Sequence, residues 1–272
     1  MASLNTLARV ALCRTPVGGA LRRIRGLERA YARRMLASRN KPGLFAGCHP
    51  THGEAMAAIP AGRVSGWDNA DCAAIFTDAL PDQPSAHAVF FWLSQLLQDG
   101  TRLVDYGGGP AVTYRQYRRR ATLPPNLSWT VVDLPAIAAR GREIAALGGL
   151  DGVRFAETLA QAGPCDILLS AGALQYMEHS VPGLLGMMGD RPRHIILNKV
   201  PLTEGASYWS VQNQGPAVCP YRIYNSGEFL GYFEREGYAV ADRWRVAELT
   251  CDIPFHPRRS IAEQCGFLLT RQ

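Results

Sequence analysis

Lysine is almost missing from this chain: Lys41 and Lys199 are its only two among 272 residues. A phosphate-cradling P-loop ends in Gly-Lys-Ser/Thr, and neither lysine follows a glycine, so that kind of nucleotide site is excluded. No stretch approaches the ~20 apolar residues of a spanning helix, although 47% of the residues are apolar, enough for a full core. The seven cysteines are odd in number and never spaced C-x-x-C. They form no disulfide framework and suit a reducing compartment. Cys48-His49-Pro50-Thr51-His52 has metal-ligand residue types, but no second cluster completes a set and Pro50 implies a turn. No metal is expected there.

Acidic residues are scarce at one end only. Residues 1–41 hold ten of the 29 Lys+Arg but one of the 23 acids, Glu28, so the other 231 residues carry 19 basic against 22 acidic side chains. The net charge of +6 therefore belongs to an N-terminal arm. A nucleic-acid-binding body would carry its own basic stripe; Arg118-Arg119-Arg120 is the one cluster there and reads as a solvated helix end, so no nucleic-acid partner is expected. In the arm, Leu4, Leu7, Ala8 and Ala11 share a helical face, Pro16-Val17-Gly18-Gly19 breaks it, and arginines then surround a second helix from Leu21 to Leu36. The segment lacks a signal-peptide core. It reads as a solvated helix or leader, with peripheral docking on an anionic membrane face as the alternative.

The most informative stretch runs from Arg102 to Asp133. Leu103 and Val104 lead to Asp105, then Tyr106, Gly107, Gly108 and Gly109. A buried parallel strand that stops at a sharp glycine turn and feeds a helix has this pattern. Trp129 to Val132 form a second strand ending in Asp133. In an open α/β sheet, ligands bind at the carboxyl ends of strands where the strand order switches, so the glycine loop and Asp133 belong to one site. A carboxylate there can accept hydrogen bonds from both hydroxyls of a ribose. The dinucleotide fingerprint fails, because Val112 stands where G-x-G-x-x-G needs its third glycine.

Residues 42–82 are turn-rich and read as a cap rather than a sheet, with a helical turn at Glu54–Ala58. Ser85 is placed to cap a helix over Ala86–Gln98 whose Val89, Phe90, Leu93, Leu96 and Leu97 share an apolar face. Pro135 opens a helix that Gly148 ends, and strands follow at Val153–Glu157, Asp166–Ala171 and His194–Asn198. Asn225 caps a helix to Glu236 with capping-box spacing. Ala239–Val246 and Cys265–Thr270 close the chain as an antiparallel pair.

The acid-x-Gly-x-Gly of Asp105, Gly107 and Gly109 resembles the first motif of the class I S-adenosylmethionine-dependent methyltransferases, with Ala111 where many members carry another glycine. The small-residue stretch after Leu168-Leu169, running Ser170-Ala171-Gly172-Ala173-Leu174-Gln175-Tyr176, resembles their fourth strand end. Further stretches are similar to a group of bacterial methyltransferases often encoded among surface-polysaccharide genes. They are Phe45-Ala46-Gly47, Gly66-Trp67-Asp68, Lys199-Val200-Pro201, Val211-Gln212 and Pro220-Tyr221. The resemblance runs from about Phe45 to the C-terminus.

It implies a Rossmann-like α/β fold: a seven-stranded, mostly parallel sheet with helices on both faces and the last strand antiparallel. The expected division is a basic arm over 1–41, a cap and leading helix over 42–99, and a cofactor-binding domain over 100–272. S-adenosylmethionine is the implied cofactor. Asp105, Tyr106, Gly107, Gly108 and Gly109 would hold its methionine end, and Asp133 its ribose. Leu134 with Glu157 or Thr158 would flank the adenine, and Ser170 would line the pocket beneath the sulfonium. A hydroxyl acceptor, on a small molecule or a glycan, needs a base. His179 is the best-placed imidazole, with Tyr176 and Glu178 beside it, and His256 is the second choice. Lys199, Tyr208, Gln212 and Tyr221 are the candidate acceptor-binding residues. The enzyme expected is a cytoplasmic O-methyltransferase; the alternative is a nucleoside-binding module on the same fold without turnover.

Overall fold

Runs of four to nine residues, most of them rich in apolar side chains, become the strands of one sheet. The strands are β3 (Arg102–Tyr106), β4 (Ser128–Val132), β5 (Val153–Ala156), β6 (Ile167–Ala171), β7 (His194–Val200), β11 (Tyr238–Val246) and β12 (Gln264–Arg271). Their order is β11-β12-β7-β6-β3-β4-β5. Every neighbouring pair is parallel except the two that β12 makes with β7 and β11. This is the expected seven-stranded Rossmann-like sheet with its last strand reversed. The computed structural model describes residues 21, 23–24, 26–40, 42–76, 82–148, 150, 152–179 and 181–272. The helix expected over Leu4–Ala11 lies outside them.

By its internal contacts the chain divides into two compact units. One holds the sheet and spans Trp67–Val200, Gly227–Glu248 and Gln264–Gln272; the other spans the residues up to Gly66, Pro201–Ser226 and Leu249–Glu263. Residues 201–226 and 249–263 thus group with the N-terminal segment, where the sequence alone runs them on with the sheet.

In the sheet unit, α4 (Ala86–Leu96) and α5 (Val112–Tyr117) cover one face. Val89, Phe90 and Leu93 from α4 and Tyr114 and Tyr117 from α5 pack on Leu103, Trp129, Val131, Ile167, Leu169 and Ile196. Leu93 and Trp129 are fully buried, and each such side chain removed from water contributes roughly 1.5–3 kcal/mol. Ser85 does not cap α4 with its side chain. Its backbone N–H donates to Glu248 (2.9 Å), and its hydroxyl accepts from Asn198 Nδ2 (3.2 Å), tying the helix start to β7 instead. The arginine triplet is not free either: Arg120 and Arg119 both pair with Asp82, and Arg120 also stacks on Phe90.

The other unit overturns one expectation and refines a second. Leu44–His49 is a strand, β1, not part of a sheetless cap, because it pairs antiparallel with β9 (Tyr208–Asn213), more than 150 residues away in the chain. β9 pairs in turn with β10 (Ala217–Asn225), which takes the short β2 (Val64–Ser65) and β8 (Leu202–Thr203). The helix expected over Leu21–Leu36 is present as α1 (Leu27–Ala37), but its end is packed rather than solvated. Leu36 packs with Ala46, Ala55 of α2 (His52–Ala57), Trp209, Val211 and Val218. The fully buried Asn213 donates to the carbonyls of Met35 and Ser38, both at 2.7 Å, and its Oδ1 accepts from Gly215 N–H. These bonds fasten the end of α1 to the sheet.

Candidate functional site

β3 lies between β4 and β6, so the chain leaves it at the point where the strand order reverses, the place where such sheets form a ligand crevice. Gly107 and Gly109 take φ of +70° and +60°, a region that side chains with a Cβ disfavour. Space is as restrictive: a Cβ on Gly107 would lie 2.1 Å from that of Ala173, and one on Gly108 within 2.5–2.8 Å of the Asp105 carboxylate. The loop therefore lies directly on the acid that precedes it. Ala111 also sits in the left-handed region (φ 58°, ψ 44°) as the chain enters α5, which explains why a glycine suits that position.

Asp133, at the end of β4, closes the loop. Its Oδ2 accepts from Gly109 N–H and its Oδ1 from Leu134 N–H, both at 2.8 Å. Asp105 is fully buried. One of its oxygens accepts from the Trp129 indole at 3.3 Å, while Oδ1 has no hydrogen-bond partner. Among the described residues neither carboxylate meets a cation. Burial pushes Asp105 up to about 7, with the Asp133 charge adding to the rise, and pushes Asp133 up to about 6 despite its two amide donors. Asp68 adds further negative charge near Asp133; its own carboxylate accepts from Ala136 N–H at 2.9 Å and so caps α6 (Pro135–Ala146). The result is a glycine cradle over acids that lack a positive partner.

Beside the loop lies a cavity of about 200 Å³. Gly107, Gly108 and Gly109 form one wall, and Phe76, Val89, Phe90 and Val112 supply an apolar one. Its polar contributors are Gln83, Thr113, Gln116, Asn198 and Lys199. Gln83 Oε1 is buried without a partner. Lys199 is pushed down by burial, against the Glu248 charge.

The structure brings together the expected cofactor residues Asp105, Tyr106, Gly107, Gly108, Gly109, Asp133 and Leu134, and Lys199, expected at the acceptor, lines the cavity beside the glycine loop. Leu134 is 42% exposed beside Asp133, an uncovered apolar surface at the site. Ser170 is instead a clamp: it is fully buried and its hydroxyl donates to the Tyr106 carbonyl at 3.0 Å, leaving Ala171 to line the cavity. Glu157 pairs with Arg142 at 3.2 Å, and Thr158 Oγ1 caps α7 (Leu159–Ala162) by accepting from Gln161 N–H. Tyr176 stands edge-on to Trp67, and His179 is exposed; neither lines the cavity.

His256, Tyr208, Gln212 and Tyr221 belong to the other unit. The His256 ring meets Glu28 of α1 at 2.6 Å. Tyr208 donates its hydroxyl to the Arg259 carbonyl, and Tyr221 packs edge-on to Phe45. Both tyrosines are buried within their sheet rather than presented to an acceptor, because β9 and β10 are covered on both faces. Gln212 accepts from Gln214, just past the end of β9. Sequence reasoning overlooked Asp68, Phe76 and Gln83. Only Asp68, within Gly66-Trp67-Asp68, carried a signal.

No family model matches the chain, and neither does any curated protein. Among solved structures it is similar to the CcbJ methyltransferase from Streptomyces caelestis (13% identity, 75% of this chain and 97% of that one, TM-score 0.48). It is also similar to the Burkholderia thailandensis 1,6-didemethyltoxoflavin-N1-methyltransferase bound to 1,6-didemethyltoxoflavin and S-adenosylhomocysteine (14%, 70% and 77%, 0.45). A third is the magnesium protoporphyrin IX methyltransferase of Synechocystis PCC 6803 with bound S-adenosylhomocysteine (13%, 69% and 82%, 0.46).

Proposed function

We propose that the sheet unit binds S-adenosylmethionine and transfers its methyl group to an oxygen of a small-molecule acceptor. The observation that carries this reading is Asp105, a fully buried carboxylate with an unpartnered Oδ1 directly under a glycine loop that no Cβ could share. An acid so placed is costly unless a cation arrives. The ammonium of a methionine moiety is such a cation, and the acid-x-Gly-x-Gly pattern is the one that the resemblance assigns to it.

Asp133 uses one lone pair of each oxygen on the loop amides and retains another on each for the two hydroxyls of a ribose. The exposed face of Leu134 offers apolar cover to an adenine. S-adenosylmethionine supplies an activated methyl group and a neutral thioether as leaving group. The chain's own contribution is alignment and exclusion of water. Phe76, Val89, Phe90 and Val112 provide a dry wall, and the cavity's size suits a small molecule or the terminal unit of a glycan.

Calorimetry with S-adenosylhomocysteine tests the reading: saturable binding is expected, and NADH should not compete. Binding of NADH in place of S-adenosylhomocysteine would overturn it.

A further inference from the structure

Two neighbouring residues of one strand, Asn198 and Lys199, line the same cavity. Successive side chains of a regular strand point to opposite faces, so something has turned one of them. The register shows what. On β12, Cys265 and Phe267 are separated by one residue, while their partners on β7, Val200 and Leu197, are separated by two. Asn198 and Lys199 thus form a β-bulge opposite Gly266, and Lys199 takes a left-handed φ of +61°. Bulges of this kind re-aim a side chain at a site, and a non-glycine residue held left-handed is strain that the surrounding structure sustains. The Lys199 stem runs close over Gly172, where a Cβ would stand 3.2 Å from Lys199 Cδ.

To the cavity lining α4 and the residues before it contribute Gln83, Ala86, Val89 and Phe90, and α5 contributes Val112, Thr113 and Gln116. The loop after β3 contributes Gly107, Gly108 and Gly109, and β6 contributes Ala171. None of these ionises, so Lys199 is the sole titratable group among the described lining residues. Asn198 is already engaged, donating to Ser85 and accepting from the Trp244 indole at 2.9 Å.

We infer that Lys199, not His179, takes the proton of the acceptor, and that the acceptor presents a phenolic hydroxyl to it. This rests on the cofactor reading above. Lys199 Nζ, as the free amine, removes the hydroxyl proton while the oxygen's electron pair forms the new bond to the methyl carbon. The carbon–sulfur bond breaks with its pair left on sulfur, and the lysine ammonium returns the proton to water. Burial favours the free amine, and Glu248, from the segment after β11, is the charge that opposes it. A phenol, ionising near 10, is matched to such an amine where an aliphatic alcohol is not. The walls of Phe76 and Phe90 suit an aromatic ring.

With only two lysines in the chain, the test needs no acceptor. Protein carrying ¹³C at lysine Cε gives two side-chain NMR signals, and Lys199→Arg identifies which is Lys199. Its pH titration is followed free, with S-adenosylhomocysteine and with S-adenosylmethionine. A sulfonium beside the amine disfavours the ammonium, so the midpoint should fall by about one pH unit or more in the S-adenosylmethionine complex relative to the S-adenosylhomocysteine complex. Equal midpoints in the two complexes would overturn the assignment. So would a tenfold loss of S-adenosylhomocysteine affinity in Lys199→Met, which would make Lys199 a holder of the cofactor. Failure of the wild type to bind S-adenosylhomocysteine at all would instead remove the cofactor reading on which the inference stands.

Discussion

Asp105→Asn should raise the stability of the protein while lowering its affinity for the cofactor. The folded state holds Asp105 near 7 against an ordinary value of 3.8. A group raised in this way stabilises the fold below its unfolded value, and that contribution is lost as pH rises towards the folded one. About three pH units at about 1.4 kcal/mol each make the ionisation of Asp105 above pH 7 cost on the order of 4 kcal/mol. The amide removes that cost, but its NH₂ inherits the unpartnered position of Oδ1, at about 1–3 kcal/mol. Near pH 5 the two effects roughly cancel. From pH 5 to pH 7 the variant should gain on the wild type by on the order of 2–3 kcal/mol, and the gap should then stay level. Loss of a charged partner should meanwhile weaken S-adenosylhomocysteine binding about tenfold or more. Urea unfolding across pH 5–8, with calorimetry at pH 7.5, measures both. A gap that does not change with pH would refute the burial argument, and unchanged affinity would refute the role of Asp105 in the site.

Ala111→Gly should stabilise the protein by about 1 kcal/mol, because it relieves a left-handed alanine; a fall in the unfolding midpoint would count against this. Asp133→Ala removes the acceptor of the Gly109 and Leu134 amides, so S-adenosylhomocysteine affinity should drop about tenfold or more, with unchanged affinity in calorimetry ruling out the ribose assignment. Deleting residues 1–41 removes Met35 and Leu36 from their core and the carbonyl partners of Asn213. It should cost several kcal/mol, read as a fall in the unfolding midpoint. If the arm docks on anionic lipid, deletion of residues 1–41 should also abolish vesicle pelleting, and equal pelleting would end that proposal. His179 is exposed and outside the cavity lining, so His179→Ala should keep methyl transfer to a phenolic acceptor within about twofold of wild type, read by a labelled-methyl assay.

The elements that sequence alone determined are those whose information is local. The central parallel strands β3, β4, β6 and β7 are short, largely apolar runs with a turn at the end, and a covered parallel strand cannot disguise that pattern. The glycine loop was legible for the same reason, since φ of +70° at Gly107 is a demand on one residue. Tertiary structure alone decided the rest. Leu44–His49 became a strand because Tyr208–Asn213 folds back beside it, and no local pattern announces a partner so distant. That pairing buried Tyr208 and Tyr221, which composition had offered as an acceptor surface. It also gave Leu36 a core to join, so that part of a basic arm became an integral helix. The position of Lys199 was decided by one extra residue between two ladder positions of β7 and β12. A bulge shifts the facing of a side chain without leaving a mark on the residues themselves, because it is a property of the pairing and not of either strand.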